Sequence, residues 1–270
     1  MAIRAFGVIV ALRVLILGPG SVSAQGQYGT DRATGENYHV EFAFGVWNPT
    51  PEILVRSESL GIGGTTVDFV ADLGIQKARF REFRLVGRPA TKHRFRLSYV
   101  PIEYAASTVI AREIVFNGQR FRLGIPVDGL LTWRAWRIGY EYDVLYRDRG
   151  FAGFIVEAKY TDVSVTVGSP LVSTEFARAR APIPAFGGIG RVYVAPNISI
   201  TGEVTGFALP NIDEDYDGKY VDFDLYGTVN YTDHFGGQLG YRRIDVNYLV
   251  KRDAGDLKLG GLYFMGVVRF

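Results

Sequence analysis

Apolar and polar residues alternate singly along much of this chain, in segments of about ten residues separated by turn-forming residues. A period of two is the mark of a β-strand with one face against an apolar environment. It is clearest at 220–231, YVDFDLYGTVNY. There Val221, Phe223, Leu225, Gly227, Val229 and Tyr231 share one face, and Tyr220, Asp222, Asp224, Tyr226, Thr228 and Asn230 share the other. Segment 198–208 sets Ile198, Ile200, Gly202, Val204, Gly206 and Ala208 against Ser199, Thr201, Glu203, Thr205 and Phe207. Segment 136–144 sets Trp136, Ile138, Tyr140, Tyr142 and Val144 against Arg137, Gly139, Glu141 and Asp143. Segments of this kind predict ten strands, at 37–48, 77–87, 93–116, 119–145, 151–167, 184–195, 198–209, 219–232, 236–250 and 256–270. Eight or twelve strands stay open, because 53–73 is hard to assign. Any one segment would also suit a half-buried strand of a soluble β-sandwich.

The start of the chain bears on which environment it is. Residues 1–24 hold two arginines (Arg4, Arg13), an apolar run over 6–17 and a small-x-small site before Gln25. That is the pattern of a secretory signal peptide cleaved after Ala24. The run is too short, and too interrupted by Arg13, for the roughly 20 residues a membrane anchor needs. The expected organisation is therefore a signal peptide at 1–24 and one domain at 25–270. Removing the signal takes two of the 30 Lys+Arg and no acid, leaving 28 against 28 Asp+Glu. A neutral chain lacks the basic surplus of a nucleic-acid binder. With no cysteine there is neither a disulfide framework nor a thiolate metal site.

Beyond residue 24 no apolar stretch approaches 18 residues, so no helix is expected to cross a membrane. The remaining way across is a closed barrel, in which every backbone group pairs between strands. The abundant Gly, Tyr and Phe (33, 16 and 18) suit that reading. Short turns at 87–93, 146–150, 195–197 and 232–234 alternate with longer connections at 48–76, 168–182, 209–218 and 251–255. Short turns on one side and long loops on the other describe an outer-membrane barrel with its turns in the periplasm. Segment 109–127 reads as two strands continuing above the membrane and folding over at Asn117-Gly118, a favoured hairpin dipeptide. At 81–82, 100–101 and 161–162 the apolar face changes parity. A one-residue bulge would do this, with Pro101 as its marker. A strand leaving the membrane and losing its lipid-facing constraint would do it as well.

The last ten residues, GLYFMGVVRF, place Leu262, Phe264, Gly266, Val268 and Phe270 on one uncharged face. This ending resembles the C-terminal insertion signal of bacterial outer-membrane β-barrel proteins, a final aromatic preceded by apolar residues at alternate positions. Phe264, Val268 and Phe270 are the positions that carry it, and Val268 departs from the aromatic frequently found there. The resemblance implies an antiparallel up-and-down transmembrane barrel whose last strand closes against its first. It also implies the outer-membrane lipid bilayer and the barrel-assembly machinery as partners. A monomer without cofactor is expected.

If the apolar faces meet lipid, the opposite faces line the lumen. They hold Arg79 or Arg81, Arg84, Arg94, Arg96, Arg137, Glu141, Asp143, Glu157, Lys159, Arg191, Glu203, Asp222, Asp224, Arg243, Asp245 and Arg269. The second and third strands are basic and the eighth carries Asp222 and Asp224, about opposite in a ring roughly 20 Å wide. Two readings follow: a paired network that closes the lumen of a structural or surface-interaction barrel, or a narrow polar conduit for ions or small solutes. A hydrolase is the weaker third. His39, His93 and His234 all fall at periplasmic ends, and neither G-x-S-x-G nor H-E-x-x-H occurs. One loop motif, DEDYDG at 213–218, fits the start of a calcium loop through Asp213, Asp215 and Asp217. Its twelfth position would be Asp224, inside a strand, which favours a solvated acidic turn.

Overall fold

The computed structural model describes residues 33–58, 62–169, 172–209 and 216–270. Thirteen strands appear: β1 Val40–Arg56, β2 Val67–Asp68, β3 Phe80–Ala90, β4 His93–Val109, β5 Ile114–Phe116, β6 Gln119–Phe121, β7 Pro126–Arg147, β8 Gly150–Ser169, β9 Val172–Ala195, β10 Ile198–Ala208, β11 Tyr216–Asn230, β12 Phe235–Val250 and β13 Asp253–Arg269. Ten of them form one ring in the order β13-β12-β11-β10-β9-β8-β7-β4-β3-β1, antiparallel throughout, and β13 pairs back onto β1. This is the closed ten-stranded up-and-down barrel that the alternation implies. Short β2 lies on the edge of β1, and β5-β6 form a separate hairpin.

Closure runs from Glu41↔Arg269 to Arg56↔Ala254. The last residue is held by backbone on both sides: the Phe270 N–H donates to Val40 O at 2.9 Å, and its carbonyl accepts from His39 N at 2.7 Å and Val40 N at 3.0 Å. Leu262, Phe264 and Phe270 point outward, while Tyr263, Met265, Val267 and Arg269 are buried inside. The eight steps from Leu262 to Phe270, at about 3.3 Å each and tilted about 40°, rise about 20 Å, close to the apolar band of about 25 Å on outer-membrane barrels. Phe44, Phe95, Ile138, Phe186, Val204, Leu225 and Leu239 continue the belt round the ring.

Alternation continues past the belt, but its polarity inverts. On β1 the outward residues change from Phe42, Phe44 and Val46 to Asn48, Thr50 and Glu52, and the inward ones end in Trp47, Ile53 and Val55. On β4 Phe95 and Leu97 point outward, whereas Val100, Ile102 and Tyr104 point inward. No register shift falls at 81–82, 100–101 or 161–162: pairing is continuous there against β1, against β7, and against β7 and β9 respectively, while the β3–β4 ladder ends at Phe83↔Tyr99. The expected bulges are thus absent there; each parity change marks a strand leaving the apolar belt. Register shifts fall instead at Gly87/Ala90, Asp143/Leu145, Val167/Ser169 and Ile198/Ser199.

One rim, called near, carries the closing residues Val40 and Arg269 and short turns at 91–92, 148–149, 196–197 and 231–234. Beyond the belt, toward the far rim, the barrel interior is an apolar core. Ile53, Val55, Ile102, Tyr104, Val127, Leu131, Trp133, Val165, Leu257 and Leu259 pack there with Val67, Phe69, Leu73 and Ile75 from the segment after β1. That segment is clasped by Arg112, which donates to Asp72 and to Thr66 O. The β5-β6 hairpin adds fully buried Ile114, Phe116 and Phe121. Its turn is Asn117-Gly118, with φ of 49° and 80°, the left-handed pair a two-residue hairpin needs. The turn falls where the sequence places it, but β4 and β7 stop at Val109 and Pro126, so the long continuous strands expected over 93–145 are broken. Conversely, most of 168–182, expected as a connection, is strand belonging to β8 and β9.

The two outward environments give opposite expectations. Leu225→Arg, in the belt, should destabilise the barrel by about 2–4 kcal/mol in lipid vesicles. Glu103→Arg, outward on β4 above it, should stay within about 0.5 kcal/mol. Urea unfolding monitored by tryptophan fluorescence measures both, and equal costs would contradict the belt's position.

Candidate functional site: a charge-packed lumen

Within the belt many inward positions are charged. Arg84, Arg88, Arg94, Arg96, Arg137, Lys159, Arg191, Arg242 and Arg269 face Glu36, Glu41, Glu82, Glu141, Asp143, Glu157, Glu203, Asp222 and Asp224. Nine cations thus meet nine carboxylates, and the period of two explains why: a belt strand presents every second side chain to the interior.

Contacts span the lumen as well as joining neighbouring strands. Arg84 of β3 reaches Asp224 of β11 at 3.0 Å and Glu82 at 2.7 Å. Arg242 of β12 joins Glu82 at 3.0 Å to Asp222 at 2.9 Å, its guanidinium 5.5 Å from the Trp47 ring centre. Arg137 of β7 binds Glu203 at 2.6 Å and Glu157 at 3.1 Å, and Arg96 meets Glu203 at 2.5 Å and Glu141 at 3.4 Å. Lys159 sits between Glu157 at 2.7 Å and Asp222 at 2.8 Å. Arg94 holds Glu141 at 2.6 Å and Asp143 at 2.5 Å, and lies over the Phe151 ring at 4.2 Å. Hydroxyls add to the network: Tyr263 donates to Asp224 at 2.8 Å and Thr205 to Glu157 at 2.6 Å. A void of about 30 Å³ bordered by Arg84, Arg96, Arg137 and Glu157 is room for about one or two waters.

The near mouth is occupied by the chain itself. Residues ahead of β1 cross it, with Thr34 N donating to Pro196 O at 2.8 Å and Gly35 N to Asp233 Oδ1 at 2.8 Å. Glu36 accepts from Arg191 and from the Tyr193 hydroxyl, both at 2.7 Å, and Arg88 donates to its backbone carbonyl. Arg269 closes the mouth beside it on Glu41 at 2.5 Å and Asn230 at 2.8 Å.

The structure brings Arg84, Arg94, Arg96, Arg137, Glu141, Asp143, Glu203, Asp222 and Asp224 into this one cluster, along with Glu157, Lys159, Arg191 and Arg269. Four other expected lumen residues are not there. Arg79 and Arg81 are exposed, and Arg243 and Asp245 face outward and pair with each other at 3.1 Å. In their place sit Glu82 and Arg242. The signal for Arg242 was in the sequence: Leu239 and Tyr241 face lipid, so the next even position is inward. Glu36, Glu41 and Arg88 carried no such signal, lying where the alternation is only beginning or ending. Phe264, Val268 and Phe270 share the outward face of β13. Asp213 and Asp215 lie outside the described residues; Asp217 is on β11, and Asp224 is turned inward to Arg84 and Tyr263. The histidines sit at the near rim: His39 Nδ1 is 3.4 Å from Arg88 O, His93 Nδ1 2.5 Å from the Tyr140 hydroxyl, and His234 Nδ1 3.0 Å from Arg269 O.

No protein-family model matches this chain, and no curated protein matches it. Among solved structures it is similar to the outer membrane protease OmpT from Escherichia coli, at 7% identity and a TM-score of 0.57, over 88% of this chain and 98% of that one. Matches of lower TM-score include Ail, the attachment invasion locus protein of Yersinia pestis (11% identity, TM-score 0.36, 86% and 99% covered). An outer membrane channel from Pseudomonas putida F1 also matches (9% identity, TM-score 0.41, 91% and 100% covered). At such identities the likeness to OmpT is one of fold. Closed ring, apolar belt and charged interior together give this chain the fold of bacterial outer-membrane β-barrel proteins.

Breaking the network at one partner should leave buried carboxylates uncompensated. Arg137→Met is expected to destabilise by about 3–5 kcal/mol, with little dependence on salt because the pair is shielded. Glu113→Gln, which removes an exposed pair to Arg120 at 2.9 Å, should cost under about 1 kcal/mol. Urea denaturation at low and high salt measures both.

Proposed function

We propose that the lumen is closed by its own ion pairs and that the barrel serves at the cell surface, as a structural or surface-interaction protein and not as a pore or an enzyme. The observation that carries this is the balance of nine cations and nine carboxylates within contact distance of one another across the belt. A ten-stranded ring is far narrower than the 16–18 strands that leave a wide aqueous channel. The strap at 34–36 adds a second obstruction at the near mouth. For the non-catalytic reading, the support is the placement of all three histidines at the near rim, each within hydrogen-bonding reach of a barrel group.

In this reading residues 1–24 are a cleaved export signal, and the assembly machinery recognises Phe264, Val268 and Phe270. The near rim then lies in the periplasm and the far rim outside the cell, and the protein is a monomer. Cysteine labelling tests the orientation without background, since the chain has none. Cysteine in place of Arg120, exposed on β6, should react with an impermeant maleimide on intact cells, and cysteine in place of Asp148 should not. The opposite pattern inverts the topology.

Planar-bilayer conductance tests closure. The parent should be silent or nearly so, and Asp222→Asn/Asp224→Asn should open measurable current by freeing Arg242, Lys159 and Arg84. Large stable steps in the parent would favour the narrow-conduit reading instead.

A further inference from the structure

The barrel wall is uneven at the far rim. Beyond its last pair with β10, Phe186↔Gly206, strand β9 runs on to Val172 paired with β8 alone among the described residues. β10 itself ends at Ala208. The inner face of β8 therefore looks across this notch toward the upper ends of β1 and β12. A cleft of about 310 Å³ lies between them, at the small end of the range for ligand pockets.

Its lining has two natures. Val55, Val163, Val165 and Tyr248 supply apolar surface, and Arg56, Arg178 and Arg180 supply cations. Arg178 and Arg180 share Asp162, at 2.7 and 3.2 Å. Arg56 differs from them: among the described residues it makes no ion pair, and its Nε, shielded from solvent, has no hydrogen-bond partner. The carboxylate in the lining, Asp253, accepts instead from the backbone N–H of Glu58 at 3.3 Å. Among the described residues three guanidiniums thus stand against two carboxylates, and the surplus charge sits on the residue whose donor is unused.

We propose that this cleft binds an amphipathic organic anion. Its carboxylate or sulfonate is held by Arg56, and its apolar body lies on Val163, Val165 and Tyr248. The guanidinium fork matches a planar carboxylate with two parallel hydrogen bonds. A small inorganic anion would leave the valines wet. A neutral apolar molecule would leave Arg56 without an acceptor. The cleft opens above the belt, apart from the lumen network, so the proposal holds whether or not the barrel conducts.

The test uses the full-length mature protein in lipid nanodiscs, with 4-phenylbutyrate as probe and empty nanodiscs as blank. Saturation-transfer NMR titrations compare it with 4-phenylbutanamide, which lacks the charge, and acetate, which lacks the apolar body. Phenylbutyrate should bind saturably and at least tenfold more tightly than either control. Arg56→Gln should weaken it at least tenfold while the protein keeps the heat-modifiable gel mobility of a folded barrel. If that variant does not fold, Arg56→Lys, which keeps the charge and loses the fork, should weaken binding at least threefold. The proposal is overturned by absence of saturable binding to the parent, by equal binding of the amide or of acetate, or by binding that is indifferent to the Arg56 substitution.

Discussion

Sixteen antiparallel residue pairs join β1 to β13, and the rest of the structure depends on them. Hydrocarbon offers a peptide group no hydrogen-bond partner, so a sheet can stand in it only if it has no edge. Once the ring is closed, the side-chain period does the remaining sorting. Outward positions must be apolar over the height of the belt, and inward positions are released from that demand. Tying Phe270 to Val40 and His39 by backbone bonds carries the pairing to the last residue of the chain.

A narrow interior then imposes its own condition. Charges held in a poorly hydrated space are tolerable only when each has partners, and the cross-lumen contacts supply them. Arg242 illustrates the economy of the arrangement: one guanidinium bridges Glu82 of β3 and Asp222 of β11 and rests over Trp47. Trp47 also donates to Gly261 O at 3.1 Å, so it meets both the charged layer and the backbone of the closing strand. The charged layer and the apolar far core are separate tiers of one interior, meeting near this tryptophan.

How much of this was legible in the sequence depends on which force wrote each stretch. Lipid imposes a simple alternation, and within the belt the faces of 136–144, 198–208 and 220–231 read correctly residue by residue. Above the belt water is outside and the core is inside, so the same alternation carries the opposite meaning. Following the apolar face through that change puts Arg243 and Asp245 inside and overlooks Arg242. Among the parity changes, a strand crossing the membrane surface and a bulge look alike in one dimension; only the register of the neighbouring strands separates them. Long-range partners such as Arg84 with Asp224 follow from strand order, but the strap at Glu36 has no periodicity to announce it. The extension of β9 over 172–183 was also hidden, because the stretch ending in Pro182 reads as connection. Prolines are admitted where a strand has an unpaired side, which is the situation of β9 above its last pair with β10.

The inversion above the belt has a mechanical consequence. Asn48, Thr50, Glu52, Glu103, Arg243, Asp245 and Lys258 form a polar collar on the outside, and the core behind it is locked by Phe69, Phe116 and Phe121. The far half is therefore the head of a rivet whose shank is the belt. It cannot be drawn into the bilayer without dragging charges into hydrocarbon. Once that head has condensed, it limits how far the barrel can slide into the apolar layer, and withdrawal toward the near side would require the far core to unfold first.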